Sequence, residues 1–413
     1  MAVKRPPYLL RLKVSNFRSL RAVEVRLAAL NVLVGPNGAG KSNLLDVIAF
    51  LGDAIRDDLG PALDRRGGFE RILFRGTKPG NAISVEVEAA VTKNSNTRTT
   101  DNYSLEFSLG KLRTKRNPRN PGLREPLRDR FYLRRSEAFM FKRTAGPGRR
   151  IEVKGSEITF NVGGKESTAS LREGSLGLAT LPKLSPEDGG EQVEALADLF
   201  ASFRVFDVDV AAARRPATQR LSQRLDNDGT NLASFLAYMA DAHPERFRAL
   251  VRDARRFIPG LADLGFETIG GAGEGTVLNL LEEGLPGSTT LQEASYGSIR
   301  ALALLALLYD PAPPRLTCIE EIDHGLHPHV LDRLVELLRE ASERTQFLIA
   351  THSPALVNRL RSSELIVCER DEEAASRIPA IEPEVVRRME AELHGEIGLG
   401  ELWFTGALGG CPE

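Results

Sequence analysis

Gly35, Pro36, Asn37, Gly38, Ala39, Gly40, Lys41 and Ser42 fit the pattern G-x-x-x-x-G-K-[ST], with Asn43 directly after. Glycines at this spacing let successive backbone N–H groups turn toward phosphate oxygens, and a helix starting at the loop adds its positive end. Lys41 would reach the β- and γ-phosphates of a nucleoside triphosphate, and the Ser42 hydroxyl would lie on Mg²⁺. A second set of groups lies far downstream, where the apolar run Arg315 to Ile319 ends in Glu320 and Glu321. A nucleotide hydrolase needs one carboxylate near the metal and one to orient or deprotonate water. Glu320 suits the metal and Glu321 the water. Alone, the pair would read as a strand leaving the core through acidic residues; with the phosphate loop upstream, fold and site agree. Thr351-His352-Ser353-Pro354 ends the next apolar run. His352 could hydrogen-bond a γ-phosphate, or be a loop histidine satisfied by its neighbours. Asp323, His324, His327 and His329 are close enough in sequence for a Zn²⁺ reading, but Gly325 and Pro328 imply a turn on which ligand spacing is not diagnostic.

These groups need elements to hold them. Asn31 to Val34 reads as a buried strand before the phosphate loop, and Asn43 to Leu51 as a helix after it. Two more strands, Leu10 to Val14 and Val23 to Leu27, precede them and enclose Phe17-Arg18. That aromatic–Arg pair either stacks on a base or is a turn with a core Phe. Alternating runs at 83–91, 103–109, 131–141, 150–154 and 157–162 predict an antiparallel sheet. Residues 163–190 read as loop, and helices follow at Glu191 to Phe203, Leu232 to Ala240 and Pro244 to Phe257, with a β segment at Thr276 to Leu281. Ser295 to Tyr309 is a loop leading into a helix; Gln346 to Ala350 and Leu365 to Glu369 are strands, and Pro383 to Gly395 is a helix. The division expected is an ATPase lobe over 1–80, an insertion over 81–290 (antiparallel to about 165, then mostly helical), a second lobe over 291–370 and a tail over 371–413.

A formal net charge of −1 gives no global pull toward nucleic acid, so local charge must carry that case. Residues 111–150 are locally basic, with Arg and Lys interleaved with Phe131, Tyr132, Phe139 and Phe141. This pattern fits either DNA or RNA contact or a solvated loop whose aromatics face the sheet. No apolar run approaches the roughly 20 residues of a membrane span, and Met1 to Arg5 is not followed by a signal-peptide core. Cys318, Cys368 and Cys411 are few and widely spaced, which suits small apolar residues in a reducing cytoplasm.

The combination resembles a family. Glu320-Glu321 on a strand, the Gly325-Leu326-His327-Pro328 turn and Thr351-His352-Ser353 are similar to the ATP-binding-cassette ATPase heads of the SMC, RecF and overcoming-lysogenization-defect (OLD) type. Asn16-Phe17-Arg18-Ser19 and the loop ending at Asn43 are similar too. The resemblance implies an α/β fold, an ABC-type P-loop head with an antiparallel β subdomain and a helical/β insertion between two motif-bearing lobes. It places Glu293 to Arg300 as a signature loop, with Ser295 and Gly297 approaching the γ-phosphate of an ATP held by a partner subunit. It makes His324 to Pro328 the segment that communicates across that dimer and His352 a switch histidine. Tyr296 departs from the small or acidic residue usual there, and Gln192, Gln292 and Gln346 are each poorly positioned for the glutamine loop. The implied working state is an ATP-dependent homodimer or higher oligomer, in the cytoplasm and off the membrane, hydrolysing ATP. About 60 residues follow His352, too few for the nuclease domain of the OLD group. The expected role is therefore control of a separately encoded effector, such as an antiphage nuclease. A RecF-type repair ATPase is the alternative, and a transporter's nucleotide-binding subunit fits less well.

Overall fold

The computed structural model describes residues 6–77, 81–111, 131–142, 148–162, 165–171, 175–184, 189–217, 221–270, 275–392 and 397–409. Its centre is a five-stranded parallel sheet. In chain order its strands are β3 (Leu30–Val34), β10 (Arg204–Phe206), β14 (Leu316–Glu320), β15 (Gln346–Thr351) and β16 (Leu365–Val367), and across the sheet they run β10-β14-β15-β3-β16. Every residue of β3, β15 and β16 is buried, because helices or a second sheet cover both faces. Pairing is in register: Val34 lies opposite Thr351, Ala350 opposite Glu320, and Ile319 opposite Phe206. The carboxyl ends of these strands therefore meet along one edge, where open α/β sheets bind ligands.

The second sheet is antiparallel and eight-stranded. It comprises β1 (Leu9–Phe17), β2 (Leu20–Arg26), β4 (Ile83–Ala89), β5 (Asp101–Lys111), β6 (Phe131–Phe141), β7 (Arg149–Lys154), β8 (Glu157–Val162) and β9 (Lys165–Ser170), ordered β2-β1-β4-β5-β6-β7-β8-β9. Alternate residues of β4 are buried. They face the phosphate-loop helix, Lys41–Asp57, which lies between the two sheets: Phe50 stacks on Phe107 at 5.5 Å and touches Phe17 at 5.8 Å. Behind the parallel sheet, the helices Leu232–Ala242, Pro244–Phe257, Tyr296–Leu308 and Leu331–Ala341 form a separate core with Val32, Ile319 and Ile349.

The α/β class with an antiparallel part is as expected. Three details differ. The antiparallel sheet crosses the boundary expected at residue 80, since β1 pairs with β4 from Leu9 to Ser15. It also runs past 165: β9 lies within the stretch read as loop, and Glu166 to Ser170 are exposed and, Ala169 apart, polar, with no apolar alternation to read. In the mostly helical part the β segment expected at Thr276 to Leu281 is β12 (Gly275–Glu282), but it lies in a three-stranded sheet with β11 (Leu261–Ile269) and β13 (Ser288–Thr290). A short hairpin, β17 (Glu369–Arg370) and β18 (Ser376–Arg377), follows β16.

One buried side chain ties the sheets together. Gln346, at the start of β15, accepts from the N–H groups of Tyr8 (3.2 Å) and Leu9 (3.0 Å) and donates to the carbonyls of Leu9 (2.7 Å) and Ala28 (2.8 Å). Replacing it would strand buried backbone groups, each worth about 1–3 kcal/mol. Gln346→Leu is expected to lower the unfolding free energy by about 3 kcal/mol, read as a fall in the urea midpoint with little change in slope.

Candidate functional site

The phosphate loop turns between β3 and its helix through Gly38 (φ 80°) and Gly40 (φ 100°), left-handed conformations that glycine adopts without a Cβ clash. Close packing adds a second requirement. A Cβ on Gly35 would run into the Cys368 carbonyl, and one on Gly40 into the Ser376 hydroxyl. The β17–β18 hairpin thus lies directly against the loop. It is fastened there by Ser376 N–H to the Ser19 carbonyl (2.8 Å), by a contact of 2.7 Å between the Ser19 and Ser376 hydroxyls, and by Asn43 Nδ2 donating to Ser19 Oγ (2.6 Å). Lys41 Nζ donates to the carbonyls of Gly35 (2.6 Å) and Pro36 (3.0 Å). Burial lowers its pKa below the ordinary lysine value, against the opposing pull of Cys368, Glu321 and Glu320.

The strand ends deliver the rest. Ser42 Oγ donates to Glu320 Oε2 at 3.0 Å, although the two residues are 278 positions apart. Burial raises the Glu320 pKa; the Ser42 hydrogen bond opposes this, and the charges of Asp207 and Glu321 add to the rise. Glu321 has φ 48°, a left-handed conformation that costs a non-glycine residue about 1–2 kcal/mol. It is held by its N–H to the Ala350 carbonyl (2.9 Å), while its own carbonyl accepts from His324 N–H (3.0 Å) and Arg300 Nη2 (2.6 Å). His352 Nδ1 lies 3.7 Å from Glu321 Oε1. Asn37, Lys41, Ser42, Glu320, Glu321 and His352 line one cavity of about 160 Å³ at the sheet edge. Its polar groups are backbone amides and an ammonium that donate, a hydroxyl, and carboxylates that accept. The hydroxyl–carboxylate pair is an all-oxygen set of the kind Mg²⁺ takes, and the loop amides and Lys41 suit a polyphosphate.

Other expected site residues lie elsewhere. Ser295 and Gly297 are not among the residues lining this cavity. Ser295 is exposed and caps the helix Tyr296–Leu308, accepting from Ser298 N–H. Tyr296 Oη lies 3.2 Å from His324 Nδ1, so the two segments touch within one chain. Phe17 requires a correction: it is fully buried against Phe50 and cannot stack on a base. Arg18 pairs with Asp46 at 2.8 Å and borders a separate cavity that also reaches Asn43. Much of the basic segment, residues 112–130 and 143–147, lies outside the described residues. In its described part Phe139 and Phe141 are core residues and Arg135 is buried beside Glu137, which fits the reading with aromatics facing the sheet, while Arg134 lies over the Tyr132 ring at 5.1 Å on the surface. Among the described residues no cluster of three His, Cys, Asp or Glu side chains is placed to hold a metal, which removes the Zn²⁺ reading of 323–329. Gln192 bonds Arg149 and Gln346 is the inter-sheet tie, so neither serves the site. Asp207 was missed. It follows β10, next to Glu320 in the parallel register, and its signal was an acidic residue after an apolar pair in a strand only three residues long.

A model of the family described as "AAA domain, putative AbiEii toxin, Type IV TA system" matches residues 30–358, and the chain belongs to this family. Over a short stretch it is also similar to a RecF protein, one of the types its motifs resemble. The DNA replication and repair protein RecF of Vibrio cholerae serotype O1, in two strains, is 47% identical over 45 residues, 11% of this chain and 12% of that protein. The match therefore spans about an eighth of that relative's length. Among solved structures, the Smc head domain of Pyrococcus furiosus, with an extended coiled coil and bound to the C-terminal domain of ScpA, covers 94% of this chain and 100% of its own at 15% identity and a TM-score of 0.49. The SMC head domain of Thermotoga maritima covers 91% and 100% at 14% identity and a TM-score of 0.42. Among the described residues no helix is long and apolar enough to cross a membrane.

The packing of the hairpin on the loop gives a test. Gly40→Ala adds a Cβ into Ser376 at a left-handed position, and the loop would have to shift. ATP affinity measured by calorimetry is expected to fall roughly tenfold or more.

Proposed function

We propose that this AAA-domain chain is a Mg²⁺-dependent ATPase that closes with a second copy of itself around two ATP molecules. The observation that carries this reading is the convergence of Lys41, Ser42, Glu320, Glu321 and His352 on one cavity while the Ser295 loop stays exposed outside it. Loop amides and Lys41 bind the β- and γ-phosphates. Ser42 and Glu320 would hold Mg²⁺, with Asp207 beside them. The bound cation supplies charge neutralisation for the transferring phosphoryl group. Glu321 orients and deprotonates the attacking water, and His352 donates toward the γ-phosphate oxygens. The exposed N-terminus of the helix Tyr296–Leu308, capped by Ser295, presents free N–H groups to the γ-phosphate held by the other chain. Hydrolysis removes that phosphate and with it the link between chains.

Such a dimer works as a switch, and the family's description as a putative toxin of a Type IV TA system supports a separately encoded protein partner. An effector nuclease in antiphage defence is the form this reading takes. The 45-residue match to RecF favours the second reading, a repair ATPase acting on DNA. Co-purification from the native operon separates the two: a bound nuclease supports the first, and DNA-stimulated turnover that falls steeply with salt supports the second.

Two substitutions test the chemistry. Glu321→Gln is expected to leave ATP binding intact and cut turnover about 100-fold or more, accumulating an ATP-bound dimer visible by light scattering. Normal turnover would remove Glu321 from its role. Ser295→Arg is expected to keep ATP binding by the single chain while abolishing the ATP-dependent rise in mass; an unchanged dimer would count against the sandwich.

A further inference from the structure

The helix Tyr296–Leu308 touches the turn after the catalytic strand and the strand's own end. At its N-terminus the contact is backbone to backbone: a Cβ on Gly297 would meet the Gly325 carbonyl, and one on Gly325 would meet the Tyr296 ring. One turn further on, Arg300 reaches across the interior. Its Nη2 donates to the Glu321 carbonyl at 2.6 Å and to the Glu320 carbonyl at 3.2 Å. The side chain is only 5% exposed, and its Nε, also buried, has no acceptor among the described residues. No carboxylate pairs with it in the described structure; its strongest contacts are backbone carbonyls. A buried guanidinium facing carbonyls costs desolvation that a neutral side chain of similar size would avoid. What it does is fix the peptide carrying Glu321, a residue held at φ 48°.

We propose that Arg300 is a positioning residue that couples the Ser295 loop to the placement of the Glu321 carboxylate. The inference rests on the two-chain ATPase reading. When a second chain's ATP seats on the exposed N-terminus of this helix, any shift of the helix pulls the Glu321 carbonyl through Arg300. The carboxylate then moves relative to the water it must activate, and a displacement of about 1 Å is enough to change rate roughly 100-fold. Arg300 touches neither nucleotide nor water. It makes hydrolysis conditional on the partner's nucleotide. The idle Nε leaves the side chain a free donor with which to change partners as the helix moves.

The test uses the full chain carrying Arg300→Gln or Arg300→Lys, with Arg344→Gln as comparison. Arg344 donates to the Leu308 and Asp310 carbonyls at the far end of the same helix, away from the site. Three quantities are read: ATP affinity, dimer mass with ATP, and turnover per chain against protein concentration. Arg300→Gln is expected to keep affinity within about threefold and to keep the dimer, while turnover falls roughly 100-fold and no longer rises with concentration. Arg300→Lys, which keeps a buried cation with fewer donors, is expected to retain the fold and recover part of the rate. Arg344→Gln should lower the melting temperature and leave the concentration dependence as in the wild type. If both Arg300 variants hydrolyse like the wild type, or lose affinity and dimer along with turnover, the proposal is overturned. If instead the wild type shows no ATP-dependent dimer and no concentration dependence, the two-chain reading itself fails.

Discussion

Parallel strand register is the constraint on which this molecule depends. The phosphate loop, the two glutamates and His352 are far apart in sequence, and the pairing of β3 with β15 and of β15 with β14 places them together. A slip of one residue in either pairing would turn every side chain to the other face and move the strand end by a residue. The contact of 3.0 Å between Ser42 and Glu320 would not survive it. Complete burial of β3 and β15 protects the register, because their side chains on both faces have specific partners in two different cores.

Two further layers act on the same edge. From one side, the antiparallel sheet clamps the phosphate-loop helix through Phe17, Phe50 and Phe107 and fixes the direction in which the loop amides point. From the other, Cys368 presses on Gly35 and the β17–β18 hairpin that follows it presses on Gly40. The loop is therefore shaped by contact as much as by its own glycines. Glu321 stands at the junction of three restraints, from Ala350, His324 and Arg300, which together oppose the cost of its left-handed backbone.

What the sequence made legible was whatever is contiguous. The phosphate loop, the acidic strand end and Thr351-His352 each announce themselves within a few residues, and strands buried on both faces read as plain apolar runs. Residues defined by distant partners stayed hidden. Phe17 was open to two readings, and Asn16 (φ 61°) and Arg18 (φ 49°) break the alternation of β1, so counting outward from Val14 turns Phe17 the wrong way. Asp207 ends a strand too short to show a period. Arg300 acts on carbonyl groups, which every residue possesses, so no complementary side chain marks its target. Gln346 offered no motif, since its partners near residues 8 and 28 are backbone atoms over 300 positions away.

The central place of β3 also bears on how the chain is made. Its two neighbours in the sheet, β15 and β16, leave the ribosome more than 300 residues after it. A nascent chain carries an intact loop sequence for most of its synthesis without the flanking strands that shape it, and closing so large a loop is slow in proportion to the entropy lost. The loop should therefore take its final shape abruptly, once β15 and β16 have been made and can pair with β3 on either side.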